Sequence, residues 1–261
     1  MKKDNPKVVE HVAFFDAEAA HWEDRYASDP RFARRFARIA ELFNLVLPAA
    51  PGRALDVGCG TGIFSRELAR RGWRVTALDA SPEMIEHAQA HPDHDSIEFI
   101  KGSYATHPPD GNCFDLILAL SVLEYVEDDE AALRHFAKLL KPGGLLIVSV
   151  PNRKGLLRVL EGLVFGVRTV SRGRLFGSRG DYLVHQKHQY SSLELSLMLR
   201  QLGFRKVRGF FVGAGISGPS WLLPLFERRW WAGMYCAAYK KLGSGESRSH
   251  LPTSGDRVGR A

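Results

Sequence analysis

Leu55-Asp56-Val57-Gly58-Cys59-Gly60-Thr61-Gly62 is the stretch on which the reading of this chain turns. Arg53 to Val57 is a short apolar run carrying one acid, and it leads straight into glycines at three alternate positions. Ile63 to Arg71 follows with apolar residues at helical spacing. Strand, glycine turn and helix in that order let an α/β protein bring a nucleotide-like ligand against its backbone. Glycine lacks a Cβ and so permits close approach, and the first turn of a helix offers unpaired N–H groups.

Before this stretch, residues 8 to 47 read as helices, with Val9, Val12 and Ala13, then Phe32, Phe36, Ile39, Ala40 and Phe43 recurring at three and four. Ser28-Asp29-Pro30 breaks the run and can start the second helix. Past the glycines the chain alternates. Trp73 to Asp79 is a strand ending in an acid, and Ser81-Pro82-Glu83 caps and opens a helix through Met84, Ile85 and Ala88. Strands follow at Ile97–Gly102 and Phe114–Leu120, then a helix at Asp128–Leu140 stopped by Lys141-Pro142-Gly143-Gly144, then a strand at Leu145–Val150. This rhythm predicts a doubly wound, mostly parallel sheet with helices on both faces. Residues 153 to 189 interrupt it as an inserted lid or binding segment. A helix at Leu193–Leu202 and strands at Arg205–Val212 and Met234–Tyr239 complete the pattern. The expected organisation is an N-terminal helical cap (1–47), a ligand-binding domain (48–242) and a polar tail (243–261) expected to be disordered.

At 261 residues the chain can bury a substantial core. Its net charge of +7 admits anionic partners, although a solvated basic surface explains it as simply. Cys59, Cys113 and Cys236 have no metal-ligand spacing, and so sparse a set suits a reducing compartment. No signal-like or bilayer-length apolar run is present, so the expected location is cytoplasmic.

The dinucleotide fingerprint G-x-G-x-x-G/A fails here, because counting from Gly58 its last place is Ile63 and from Gly60 it is Ser65. What remains is Asp56, three glycines and a second acid, Asp79, about 20 residues on, placed to accept from ribose hydroxyls. Asp56 beside the glycines suits a cationic ligand better than a pyrophosphate. These residues, together with Leu78-Asp79-Ala80-Ser81-Pro82-Glu83-Met84, Phe114-Asp115-Leu116-Ile117 and Leu140-Lys141-Pro142-Gly143-Gly144, resemble the class I S-adenosylmethionine-dependent methyltransferases. Within them the chain looks most like the small-molecule branch that includes the ubiquinone-biosynthesis O-methyltransferases.

The resemblance implies a Rossmann-like seven-stranded sheet of order 3-2-1-4-5-7-6 with an antiparallel seventh strand. It implies S-adenosylmethionine as methyl donor and no metal. Asp56, Gly58, Gly60 and Gly62 would hold the methionine part, Asp79 the ribose, and Ala80 and Met84 would flank the adenine. Where the family usually has Gly-Asp after the third strand, this chain has Gly102-Ser103, which puts Ser103 in the acid's place. Where it often has Leu-Glu-His, this chain has Leu123-Glu124-Tyr125 and lacks the histidine.

A sulfonium methyl is already activated, so the protein's task is to align the acceptor and exclude water. A hydroxyl acceptor also needs a base, for which His185, His188 and Glu124 are the candidates. The insertion carries eight cations, from Arg153 to Lys187, against Glu161 and Asp181. With the aromatic and basic run Trp221 to Trp231, that suggests an anionic or lipophilic small-molecule acceptor and peripheral contact with an anionic membrane. No aromatic-basic groove or reading module points to nucleic acid. A methyltransferase acting on a macromolecule and a non-catalytic S-adenosylmethionine-binding protein are the alternatives.

Overall fold

The computed structural model describes residues 6–94, 96–105, 111–155, 185–212 and 232–243. The expected disordered tail, the Trp221 to Trp231 run and most of the insertion lie outside the described residues.

Three helices come first: α1 (Pro6–Glu18), α2 (Trp22–Ser28) and α3 (Pro30–Val46). The break before α3 is where the sequence places it. Asp29 accepts the Arg31 N–H as N-cap, and Pro30, which has no N–H to lose, takes the first helical position. α3 turns Ile39, Leu42 and Phe43 into the core.

The α/β part then runs β1 (Arg53–Val57), α4 (Ile63–Arg70), β2 (Arg74–Asp79), α5 (Pro82–Ala90), β3 (Ile97–Lys101), β4 (Phe114–Leu120), α6 (Asp129–Leu139) and β5 (Leu140–Pro151). It closes with α7 (Ser192–Gln201), β6 (Phe204–Val212) and β7 (Met234–Lys241). The strands form one seven-stranded sheet of order β3-β2-β1-β4-β5-β7-β6, with β7 antiparallel to both β5 and β6. The predicted order and the antiparallel seventh strand are both found.

β5 departs from its predicted start at Leu145. It begins at Leu140, the residue after α6, and Lys141 to Gly144 belong to the strand rather than to a separate turn. Leu140 already pairs with Phe114, and the register shifts before Leu116 meets Leu145. Gly143, at φ +81°, takes up the irregularity, while Lys141 Nζ bonds Asp115 on the neighbouring strand at 2.8 Å.

Side-chain alternation sends the sheet's apolar residues to two faces. Ala54, Val75, Leu116, Leu118 and Ile147 pack with α3 and α4. Leu55, Val57, Ile117, Leu146 and Val148 pack with α6 and α7. Asp56 shares the face of Ala54, so its carboxylate points to the α3–α4 side. β1 lies between β2 and β4, where the strand order reverses, and such a switch point opens a crevice at the carboxyl ends of the strands.

Candidate functional site

The glycine turn fills that crevice. Gly58, Gly60 and Gly62 all have positive φ, at +66°, +55° and +81°, in a region that side-chain-bearing residues rarely adopt. Gly58 and Cys59 donate to the Leu78 carbonyl at 2.8 and 3.1 Å, which ties the turn to the end of β2. The Gly60 N–H donates to Asp79 Oδ2 at 2.8 Å, and Asp79 Oδ1 accepts the Ser81 N–H at 2.9 Å. A Cβ on Gly60 would stand 3.5 Å from Trp22 Nε1 and 3.8 Å from Met84 Sδ, in ordinary contact with both, so this glycine lies against the Trp22 and Met84 side chains of α2 and α5.

The two acids differ in setting. Asp56 is 2% exposed, and its Oδ2 accepts the Ser65 hydroxyl at 2.6 Å. Burial pushes its pKa up to about 7, against the pull of that hydrogen bond. Asp79 is also raised by burial, with the backbone N–H groups of Ser81, Gly60 and Ala80 pulling it back down. Gly102 N donates to the Asp79 carbonyl at 2.8 Å, which brings half-buried Ser103 beside the same end of β2.

Over the turn lies the N-terminal cap. Asp16 of α1 accepts from Ser81 Oγ, the hydroxyl that caps α5. Arg66 of α4, 4% exposed, donates to the Thr61 carbonyl at 2.7 Å and to the Glu23 carboxylate of α2. Replacing Arg66 by methionine strands the Thr61 oxygen and releases Glu23, which keeps partial access to water. The expected loss is about 2–3 kcal/mol, read from urea unfolding, and an unchanged midpoint would contradict it.

Next to the cap stands an aromatic wall. Phe15 packs edge-on against Trp22 and Tyr125, with centroids 5.8 and 5.3 Å apart. His11 stacks on Tyr125 at 6.2 Å, and Phe14 meets His185 at 5.2 Å. The three expected base candidates therefore part company. His185 joins the wall. His188 holds Nε2 3.1 Å from the Val126 carbonyl and lines an open groove of about 660 Å³ with Asp129, Arg153, Glu194 and Met198, a lining that includes no glycine of the turn. Glu124 is 1% exposed, and its carbonyl accepts the Lys187 N–H at 2.7 Å, which anchors the segment that bears both histidines.

Sequence reasoning passed over Arg35. From α3 its Nη2 donates to Ser121 Oγ at 3.1 Å and its Nη1 to the Tyr26 hydroxyl at 3.4 Å, with Cζ 5.7 Å from the Phe64 ring centroid. Its charge opposes the upward shift at Asp56. The available signal was the density of aromatics from Phe14 to Phe32, which exceeds what a helix needs for one buried stripe. Among the described residues no group of three or more His, Cys, Asp or Glu gathers in metal-binding fashion.

Residues 31–208 match a family model described as a methyltransferase domain. The chain is similar to the ubiquinone biosynthesis O-methyltransferase of Xylella fastidiosa (strain 9a5c), 33% identical over 194 residues that cover 70% of this chain and 72% of the relative. Among solved structures it is similar to magnesium protoporphyrin IX methyltransferase (ChlM) from Synechocystis PCC 6803 with bound S-adenosylhomocysteine. There the TM-score is 0.63 at 16% identity, covering 90% of this chain and 99% of that one. The N-methyltransferase NodS from Bradyrhizobium japonicum WM9, in complex with S-adenosyl-L-homocysteine, gives a TM-score of 0.60 at 19% identity, covering 90% and 98%.

Proposed function

Since the chain belongs to the class I S-adenosylmethionine-dependent methyltransferases, we propose that it methylates a hydroxyl on a small, flat, lipophilic or anionic acceptor held against the aromatic wall. The observation that carries this reading is the wall itself. Phe14, Phe15, Tyr125 and His185 come from three separate segments, and Phe15 packs on Trp22, whose ring lies against Gly60 of the turn. Stacked and edge-on rings favour a flat, apolar guest. The similar Xylella protein is named as an O-methyltransferase of ubiquinone biosynthesis, which supports a hydroxyl acceptor here.

The crevice fits the donor. The glycine turn puts backbone without side chains at the carboxyl end of β1, with the Trp22 and Met84 side chains in contact range of Gly60, and Asp79 ends β2 with its carboxylate at that turn. In this reading Asp79 holds the ribose hydroxyls, Ala80 and Met84 flank the adenine, and Ser103 borders its far edge. The methionine end is a zwitterion and meets one charge of each sign: Asp56 faces the ammonium and Arg35 the carboxylate. S-Adenosylmethionine supplies a methyl group already activated on a sulfonium. The cap and the wall exclude water, and His185, the base candidate on the wall, takes the acceptor's proton. His188 and Glu124 hold the 185–190 segment in place.

Residues 1–47 then act as the cap of a methyltransferase domain at 48–242. The basic composition of 153–189 supports peripheral contact with an anionic membrane. No helix among the described residues is long and apolar enough to cross one. Co-sedimentation with anionic vesicles at low salt is the expected result, and protein left wholly in the supernatant would remove the membrane part.

A screen of phenols, catechols, quinols, fatty acids and amines for release of S-adenosylhomocysteine tests the main reading. Turnover is expected with a ring hydroxyl and is expected to fall about 10²–10⁴-fold in His185→Gln, the usual range for a general base. Turnover with amines alone would overturn the hydroxyl assignment.

A further inference from the structure

Ser121 holds a left-handed backbone. It follows the last residue of β4 at φ +61°, and the only other described non-glycine with positive φ is Asn112. A non-glycine residue held there is strained, and such strain persists only where its surroundings impose it. The constraint is visible. The Ser121 N–H donates to the Ser149 carbonyl of β5 at 3.1 Å, and its hydroxyl accepts from Arg35 Nη2 at 3.1 Å. The next residue, Val122, stands against the glycine turn, with its Cγ2 2.6 Å from where a Cβ on Gly58 would lie. The left-handed step therefore lets one short segment do two things: close on Gly58 and present an oxygen to α3.

The Arg35 guanidinium is held on three sides, by Ser121, by the Tyr26 hydroxyl and by the face of Phe64. Its Nε is buried and has no hydrogen-bond partner among the described residues. A guanidinium offers five N–H groups in a rigid plane, and one left buried and unanswered is a standing cost until an acceptor meets it. A carboxylate answers a planar, charged fork of donors better than a neutral group does.

We propose that Ser121 is a positioning residue for the methyl donor, its hydroxyl and left-handed backbone fixing the plane of Arg35 toward the carboxylate of the donor's methionine end. This rests on the assignment of Arg35 to that carboxylate. Serine suits the place because glycine would accept the backbone angle without supplying an oxygen. Asparagine can supply an oxygen and tolerates the left-handed region better than most residues.

Calorimetric titration with S-adenosylhomocysteine and with 5′-methylthioadenosine separates the possibilities, since the second shares the nucleoside and thioether but lacks the amino-acid end. Ser121→Gly, which relieves the backbone strain and so protects folding, is expected to weaken S-adenosylhomocysteine about tenfold and leave 5′-methylthioadenosine unchanged, the size of one charge-assisted hydrogen bond. Ser121→Asn is expected to recover most of that loss. Unchanged affinity for S-adenosylhomocysteine in Ser121→Gly, or equal weakening of both ligands, overturns the proposal. Arg35→Met is titrated beside them. An unaltered ratio of the two affinities in that variant removes the Arg35 assignment itself, a failure distinct from that of Ser121.

Discussion

Asp79→Ala is expected to bind S-adenosylhomocysteine at least about a hundredfold more weakly than the parent chain. A carboxylate that accepts from both ribose hydroxyls makes two charge-assisted hydrogen bonds worth about 1.5–3 kcal/mol each, together about 10²–10⁴ in affinity. Folding responds far less. Burial already raises the pKa of Asp79, so removing it deletes a desolvated charge along with its bonds to Gly60 N–H and Ser81 N–H, and these effects oppose one another. Asp79→Asn retains one carbonyl acceptor and lies between the two, weakened about tenfold. Isothermal calorimetry measures the affinities and thermal melting the stabilities. Full affinity in Asp79→Ala would falsify the ribose assignment, and a collapse of the melting temperature together with affinity would make Asp79 a strut of the turn instead.

Asp79 and the glycines were legible in the sequence because everything that defines them is local. A strand that ends in an acid, and glycines at alternate places before a helix, encode their own geometry through backbone angle and helix start. Alternation pointed to a parallel sheet covered by helices, and the order of its strands followed from the family resemblance. The cap was readable only as helices. That Trp22 lies over Gly60, or that Arg66 reaches Glu23 forty-three residues earlier, depends on how α2 docks, and no spacing rule carries that information. The two histidines show the same limit. Residues three apart share a face on a helix, but the chain between His185 and His188 is not helical, so the pair diverges to the aromatic wall and to the groove beside α7. Arg35 escaped notice for a further reason. In a sequence a helical arginine reads as solvated surface, and only the fold shows its guanidinium turned in against Ser121 and Phe64.

Acid is expected to weaken the donor's binding through Asp56 and, through the same group, to favour the unliganded fold. Its carboxyl has a pKa of about 7 in the folded chain because burial disfavours the charge. A ligand ammonium needs the ionised form, so the apparent dissociation constant for S-adenosylhomocysteine grows by about tenfold for each pH unit below 7, or about a hundredfold between pH 8 and pH 5. The ligand's own ammonium and carboxylate keep their charges across that window. Stability moves the other way. Between the unfolded value of 3.8 and about 7 the folded chain holds the extra proton, so raising the pH through this range removes up to about 4 kcal/mol of stability through this one group. Asp56→Asn is expected to flatten the affinity profile at a uniformly weak value and to abolish this component of the pH dependence of the melting temperature. 5′-Methylthioadenosine, which has no ammonium, is expected to lose much less affinity than S-adenosylhomocysteine between pH 8 and pH 5. A parallel rise of affinity and stability with pH would contradict a buried Asp56 that ionises near neutrality. An unchanged slope in Asp56→Asn would move the titration to Asp79, whose carboxyl burial also raises.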